Sequence, residues 1–158
     1  MQSLTAGPDG LPGFRLHLGV PNILGSRVNI APNAEREVVL VVDDESTVRR
    51  FARRVLAEHG FDVHEAADGA EALDLVRGTF DRLDVVVSDI VMPKLNGVEL
   101  LQRLAIGRPQ LPVILMSGYA GPQLTERGIE APCSILAKPF NAETLVAEVR
   151  RCIRGQPT

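Results

Sequence analysis

The chain has 158 residues, enough for one domain of common size with a stretch to spare. An apolar fraction of 45%, a charged fraction of 23% and a formal net charge of −3 exclude a wholly disordered chain, a collagen-like repeat and a coiled coil. They also leave no basic footprint, so direct nucleic-acid binding through phosphates is not expected. No apolar run reaches the roughly 18 residues that cross a bilayer, and Met1 to Gly13 has neither the basic start nor the apolar block of a secretory signal. The expectation is a soluble, cytoplasmic protein without membrane contact. Cys133 and Cys152 are too few for a disulfide framework, and a reducing compartment is the default.

Residues 1–36 are broken by Gly7, Pro8, Gly10, Pro12 and Gly13, then by Gly19, Pro21, Gly25 and Pro32, and read as a tail or linker. Phe14 to Leu18 and Arg27 to Ile30 alternate apolar and polar within it, which allows a weak hairpin. A regular pattern occupies residues 37–154, and 155–158 form a short tail. Val38 to Val42 is a continuous β-branched run, the mark of a strand buried on both faces. It ends at Asp43-Asp44, and a helix starts at about Ser46 with Val48, Phe51, Ala52, Val55 and Leu56 at helical spacing and Gly60 past its end. Phe61 to Glu65 is a second strand, and Asp68-Gly69 opens a helix stopped by Gly78. Asp84 to Ser88 is a third buried strand, ending at Asp89; Asn96-Gly97 is a turn and helix start. Pro112 to Met116 is the fourth strand, ending at Ser117-Gly118. A short helix over Pro122–Arg127 is boxed between Gly121 and Gly128. Ser134 to Ala137 is the fifth strand, ending at Lys138-Pro139, and Asn141 caps the last helix. Strands alternating with helices in this way predict an α/β fold, a doubly wound parallel sheet of five strands in three layers.

Ligands of such folds bind beyond the carboxyl ends of the strands. Those ends deliver Asp43 and Asp44, Asp89, Ser117 and Lys138. Three converging carboxylates repel one another unless a cation resolves the conflict. Mg2+ suits a site of one or two carboxylates, a backbone carbonyl, waters and a phosphate oxygen. Lys138 and the Ser117 hydroxyl are suited to the remaining phosphoryl oxygens. The set describes a phosphoryl group on or beside a carboxylate, with Asp89 on the central strand as the candidate nucleophile.

Four motifs in order, Val38–Asp44 with Glu45, Val87–Gly97, Met116–Ala120 and Ala137-Lys138-Pro139-Phe140, resemble the receiver domain of response regulators in two-component signalling, over roughly residues 37–154. The resemblance implies a flavodoxin-like sheet of strand order 2-1-3-4-5. It implies that Asp89 is the phospho-acceptor, taking its phosphoryl group from a histidine of a sensor histidine kinase or a histidine phosphotransfer protein. Asp44 would hold Mg2+ directly, with Asp89, the Val91 carbonyl and, mostly through water, Asp43. Ser117 would move toward the phosphoryl group, Lys138 would form an ion pair with it, and the Lys138–Pro139 peptide is often cis in the family. A downstream protein target and a homodimer are the other expected partners. Beyond its own phosphorylation and slow dephosphorylation no enzymatic turnover is expected.

Three positions depart from the family's pattern. Ile135 stands where an aromatic commonly swings inward, and Val91 and Tyr119 flank the path of the hydrolytic water without a carboxylate or amide to orient it, which predicts a slowly hydrolysed adduct. An aspartyl-phosphate phosphatase would want an acid at Val91, and a flavin or nucleotide site would be repelled by Asp43-Asp44-Glu45. Within the receiver reading, a hybrid-kinase module and a docking-only pseudo-receiver are the alternatives. Only four residues follow Arg154, so no C-terminal output domain is expected. His17, His59 and His64 lack metal-ligand spacing and read as surface residues. Lys94 and the run of Arg49, Arg50, Arg53 and Arg54 read as solvated, the arginines with a secondary claim on kinase docking.

Overall fold

The structure, a computed structural model, describes residues 36–118 and 132–155. The expected hairpin over residues 14–30, the short helix at 122–127 and Tyr119 lie outside them. Five runs of mostly β-branched and apolar residues extend as β1 (Val38–Val42), β2 (Asp62–Ala66), β3 (Val85–Asp89), β4 (Val113–Ser117) and β5 (Ser134–Ala137). All pair in parallel, in the order β2-β1-β3-β4-β5. Four helices are described: α1 (Ser46–Glu58), α2 (Gly69–Gly78), α3 (Gly97–Gly107) and α4 (Ala142–Ile153).

Because side chains alternate across a strand, the sheet carries two cores. Val39 and Val41 of β1 join Val85, Val87, Ile114 and Met116 beneath α1 and α4. Leu40 and Val42 join Val86, Val113 and Leu115 beneath α2 and α3. This is why β1 and β3 read as unbroken apolar runs: both of their faces are covered.

The helix boundaries follow local chemistry. Asp68 accepts the Glu71 amide at 2.9 Å to start α2, and Asn96 with Glu99 forms a reciprocal capping box on α3. The Asn141 side chain accepts the Thr144 amide at 2.8 Å to start α4. Gly60 ends α1 with φ of +93°, a conformation glycine adopts without a Cβ penalty.

Three strands sit one residue later than expected. Phe61 is buried but precedes β2. Asp84 precedes β3 and accepts the Val38 amide with its carboxylate at 2.7 Å. Ser117 belongs to β4. A larger correction concerns the cysteines, which composition assigned to a reducing environment. Cys133, just before β5, and Cys152, in the last turn of α4, are joined in a disulfide with Cα atoms 5.9 Å apart. Their 19-residue separation says nothing about proximity; the return of α4 along the sheet brings them together. Among the described residues no helix is long and apolar enough to cross a membrane.

Candidate functional site

Parallel pairing sets all strand ends on one side, and register sets their depth. Val42 pairs with Ser88, Asp89 with Met116, and Ser117 with Ala137. The residues just beyond β1, at the tips of β3 and β4, and just beyond β5 therefore meet. The crevice opens between β1 and β3, where the chain winds outward in opposite directions.

Carboxylate oxygens of Asp43, Asp44 and Asp89 lie within 4.8 Å of one another. Asp43 is fully buried and Asp89 is 8% exposed, whereas Asp44 is open to solvent. The Lys138 ammonium donates to Asp43 Oδ2 at 2.8 Å and stands 3.2 Å from Asp89 Oδ1. Asp43 is also held by the Glu45 amide, which donates to its Oδ1 at 2.8 Å. Lys138 is fixed in turn by its own amide, which donates to the Ser117 carbonyl at 2.7 Å. The Lys138–Pro139 bond is cis.

The electrostatics follow from this crowding. Burial pushes the Asp89 carboxyl above its ordinary value; the Lys138 charge pulls it back and the Asp43 charge adds to the rise. Burial works against the Lys138 charge, but hydrogen bonds and attraction to Asp43 and Asp89 prevail and hold its pKa above the usual lysine value. One ammonium for two buried carboxylates, with a third at the rim, leaves the cluster with excess negative charge. Its oxygens suit a small, hard divalent cation reached partly through water.

The sequence reading placed Asp43, Asp44, Asp89, Ser117 and Lys138 together, and the strand ends bring them together. Val91 lies in the loop after β3 with a 73% exposed side chain. Three residues were missed. Arg49 is not on a solvated face. Its Nη1 donates to the Asp43 main-chain carbonyl at 2.5 Å and its Nε stands 3.7 Å from Glu65, so it ties α1 to the tip of β1. Lys94 is largely exposed, yet its ammonium sits 2.6 Å from Asp68 Oδ2. It holds the loop after β3 to the start of α2, with φ of 65°. Gly97, read as a turn residue, lies directly against the Asp89 main chain. The only sequence signal for Arg49 was its place one and a half turns past the acidic pair.

This architecture and acidic pocket define a class. The sequence model of the response regulator receiver domain matches residues 39–150, and the chain belongs to that family, the signalling modules of two-component systems. It is similar to the sensor kinase CckA of Brucella abortus, 38% identical over 119 residues that make up 75% of this chain and 13% of that protein. It is 40% identical over 117 residues to the response regulator MprA of Mycolicibacterium vanbaalenii, which is 73% of this chain and 50% of that one. The chain thus spans half or less of these relatives. Among solved structures, the chemotaxis response regulator CheY4 of Vibrio cholerae superposes with a TM-score of 0.66 at 30% identity, covering 74% of this chain and 98% of that one. The receiver domain of the hybrid histidine kinase CckA gives 0.61 at 34% identity, covering 73% and 98%.

Proposed function

We propose that this chain is a phosphorylation-controlled switch. Asp89 accepts a phosphoryl group from a phosphohistidine of a sensor histidine kinase or phosphotransfer protein, and the adduct alters binding of a downstream protein. The supporting observation is the convergence of Asp43, Asp44 and Asp89 with one shared lysine. Asp89 ends the central strand, and its carboxylate supplies the nucleophilic oxygen. Transfer forms the O–P bond at Asp89 as the N–P bond breaks; the imidazole leaves with the electron pair and takes up a proton.

Asp44, Asp89, the Val91 carbonyl and, through water, Asp43 would hold a Mg2+ whose charge offsets that of the incoming phosphoryl oxygens. Lys138, kept protonated by its carboxylate partners, is released in part from Asp89 to meet a phosphoryl oxygen. Ser117, beside it through the Ser117–Ala137 pairing, offers a hydroxyl donor to another. These two contacts exist only in the phosphorylated state, so they bias the domain toward a second arrangement. Ile135 is 48% exposed on β5, and the position supplies no aromatic ring to swing inward.

Intact mass after incubation with acetyl phosphate and Mg2+ tests the reading. One phosphoryl adduct is expected, absent from Asp89→Asn and from metal-free controls. No adduct from either acetyl phosphate or a phosphohistidine donor would leave a docking-only domain.

Persistence of the adduct is a separate expectation. Val91 supplies neither acid nor amide to orient an attacking water, so the phosphoryl group should last many minutes. Val91→Asn should shorten that lifetime, and decay of the parent within seconds would refute the assignment.

The similarity to CckA favours a second reading of context, a receiver that works within a hybrid kinase relay. Return of the phosphoryl group from Asp89 to a histidine phosphotransfer protein distinguishes it.

A further inference from the structure

At the opposite end of the sheet, where the strands begin, lies a groove of about 780 Å³ whose walls include Cys133, Cys152, Arg151 and Pro112. Asp89 is at the far end of its strand, so this groove shares nothing with the site above. Cys133 is half-buried at its wall, while Cys152 is 3% exposed and part of the core beneath α1 and α4. Both cysteines line the groove, and Cys133 is the more open of the two.

The surroundings differ for the two sulfurs. The Arg151 guanidinium is 3.9 Å from Cys152 Sγ and donates to the Cys133 carbonyl at 3.2 Å. Arg151 also pairs with Glu148 at 2.8 Å, and Glu148 accepts the Ser134 hydroxyl. A guanidinium beside a sulfur stabilises its thiolate, and a thiol with the lower pKa is the better leaving group in exchange. The Ser134–Glu148–Arg151–Cys133 chain of contacts joins the start of β5 to α4 independently of the disulfide. With the bond open, the same contacts would hold β5 against α4 and favour closure.

We propose that Cys133–Cys152 is a reversible thiol-exchange site for a dithiol reductant docking at this groove. A thiolate of the reductant attacks Cys133 Sγ, forming a mixed disulfide and releasing Cys152 as a thiolate beside Arg151. The second thiol of the reductant then displaces Cys133. The protein gains two electrons and, once both sulfurs are protonated, two protons; the reductant leaves as its disulfide. Cys133 immediately precedes β5, the strand whose far end leads to Lys138 in the acidic pocket.

Dithiothreitol is the probe, with the folded full chain and iodoacetamide trapping read by intact mass. The oxidised chain is expected to take up no alkyl group, to gain two after native reduction, and to close again in oxidised glutathione. Arg151→Gln should slow opening by about threefold, and Glu148→Gln, which removes a negative charge that offsets the guanidinium beside Cys152, should speed it. Mere loosening of α4 would move both variants the same way and would overturn the leaving-group assignment. A bond that opens only in denaturant, or one that never forms in oxidised glutathione, would overturn the proposal itself.

Discussion

Gly97→Ala is expected to destabilise the domain by about 3 kcal/mol, at the upper end of what a single added methyl does in a packed interior. The Cβ would stand 2.1 Å from the Asp89 carbonyl oxygen and 3.0 Å from the Asp89 carbonyl carbon and the Ile90 Cα. These are all backbone atoms, so no rotamer change relieves the overlap. The Gly97 amide also donates to the Ile90 carbonyl at 3.0 Å, which fixes the start of α3 to the tip of β3. Relief requires one of the two to move, and either movement displaces Asp89. Chemical denaturation should show the loss, and acetyl phosphate labelling should fall with it. Gly78→Ala is the control: nothing lies within 4 Å of its added Cβ, and helix propensity alone should raise stability by about 0.5 kcal/mol. A Gly97→Ala variant as stable as the parent would show that α3 is not seated on Asp89 as described.

Lys138→Met should cost about 2 kcal/mol at neutral pH without added divalent cation. Removing one partner of an enclosed ion pair typically costs about 3–5 kcal/mol; the Lys138 side chain is 19% exposed, so water softens the loss. The pH dependence has a definite sign. Asp89 already titrates above its ordinary value through burial and the Asp43 charge, and the substitution removes the ammonium that pulls it down. A carboxyl whose folded pKa is raised contributes stability below its unfolded pKa and loses it as pH rises through the folded value. The deficit of Lys138→Met should therefore be small in acid and grow toward neutrality. Asp43→Asn should partly restore Lys138→Met in a double-mutant cycle, because one buried carboxylate is then gone. A deficit that does not change with pH would mean that the lysine stem's packing, not its charge, stabilises the pocket.

The strands and the acidic pocket were legible because both are written locally. Val38 to Val42 and Val85 to Val87 can bury both faces only within a covered parallel sheet, and their last residues then have to converge. Asp68, Asn96 and Asn141 announced their helices because an N-cap contact reaches only three residues ahead. Residues whose partners are set by register across elements were not legible. Arg49 finds the Asp43 carbonyl and Glu65 only when α1 crosses above the β1–β2 pair. Lys94 finds Asp68 only when the loop after β3 lies against α2. Cys133 and Cys152 meet only when α4 runs back to the start of β5. Gly97 looked like a turn glycine because sequence cannot show that the main chain of Asp89 lies behind it.

The sheet's two apolar faces have an evolutionary consequence. Leu73, Val76 and Leu104 share one cluster; Leu56, Leu145 and Val149 share the other; the backbone of five strands stands between them. A volume lost at Leu104 can be recovered by a larger neighbour at Leu73 or Val76, never by one at Leu145. Substitutions in the two clusters should thus add in their effects, whereas substitutions within one should compensate. Either face can then drift in sequence while the other keeps the sheet covered.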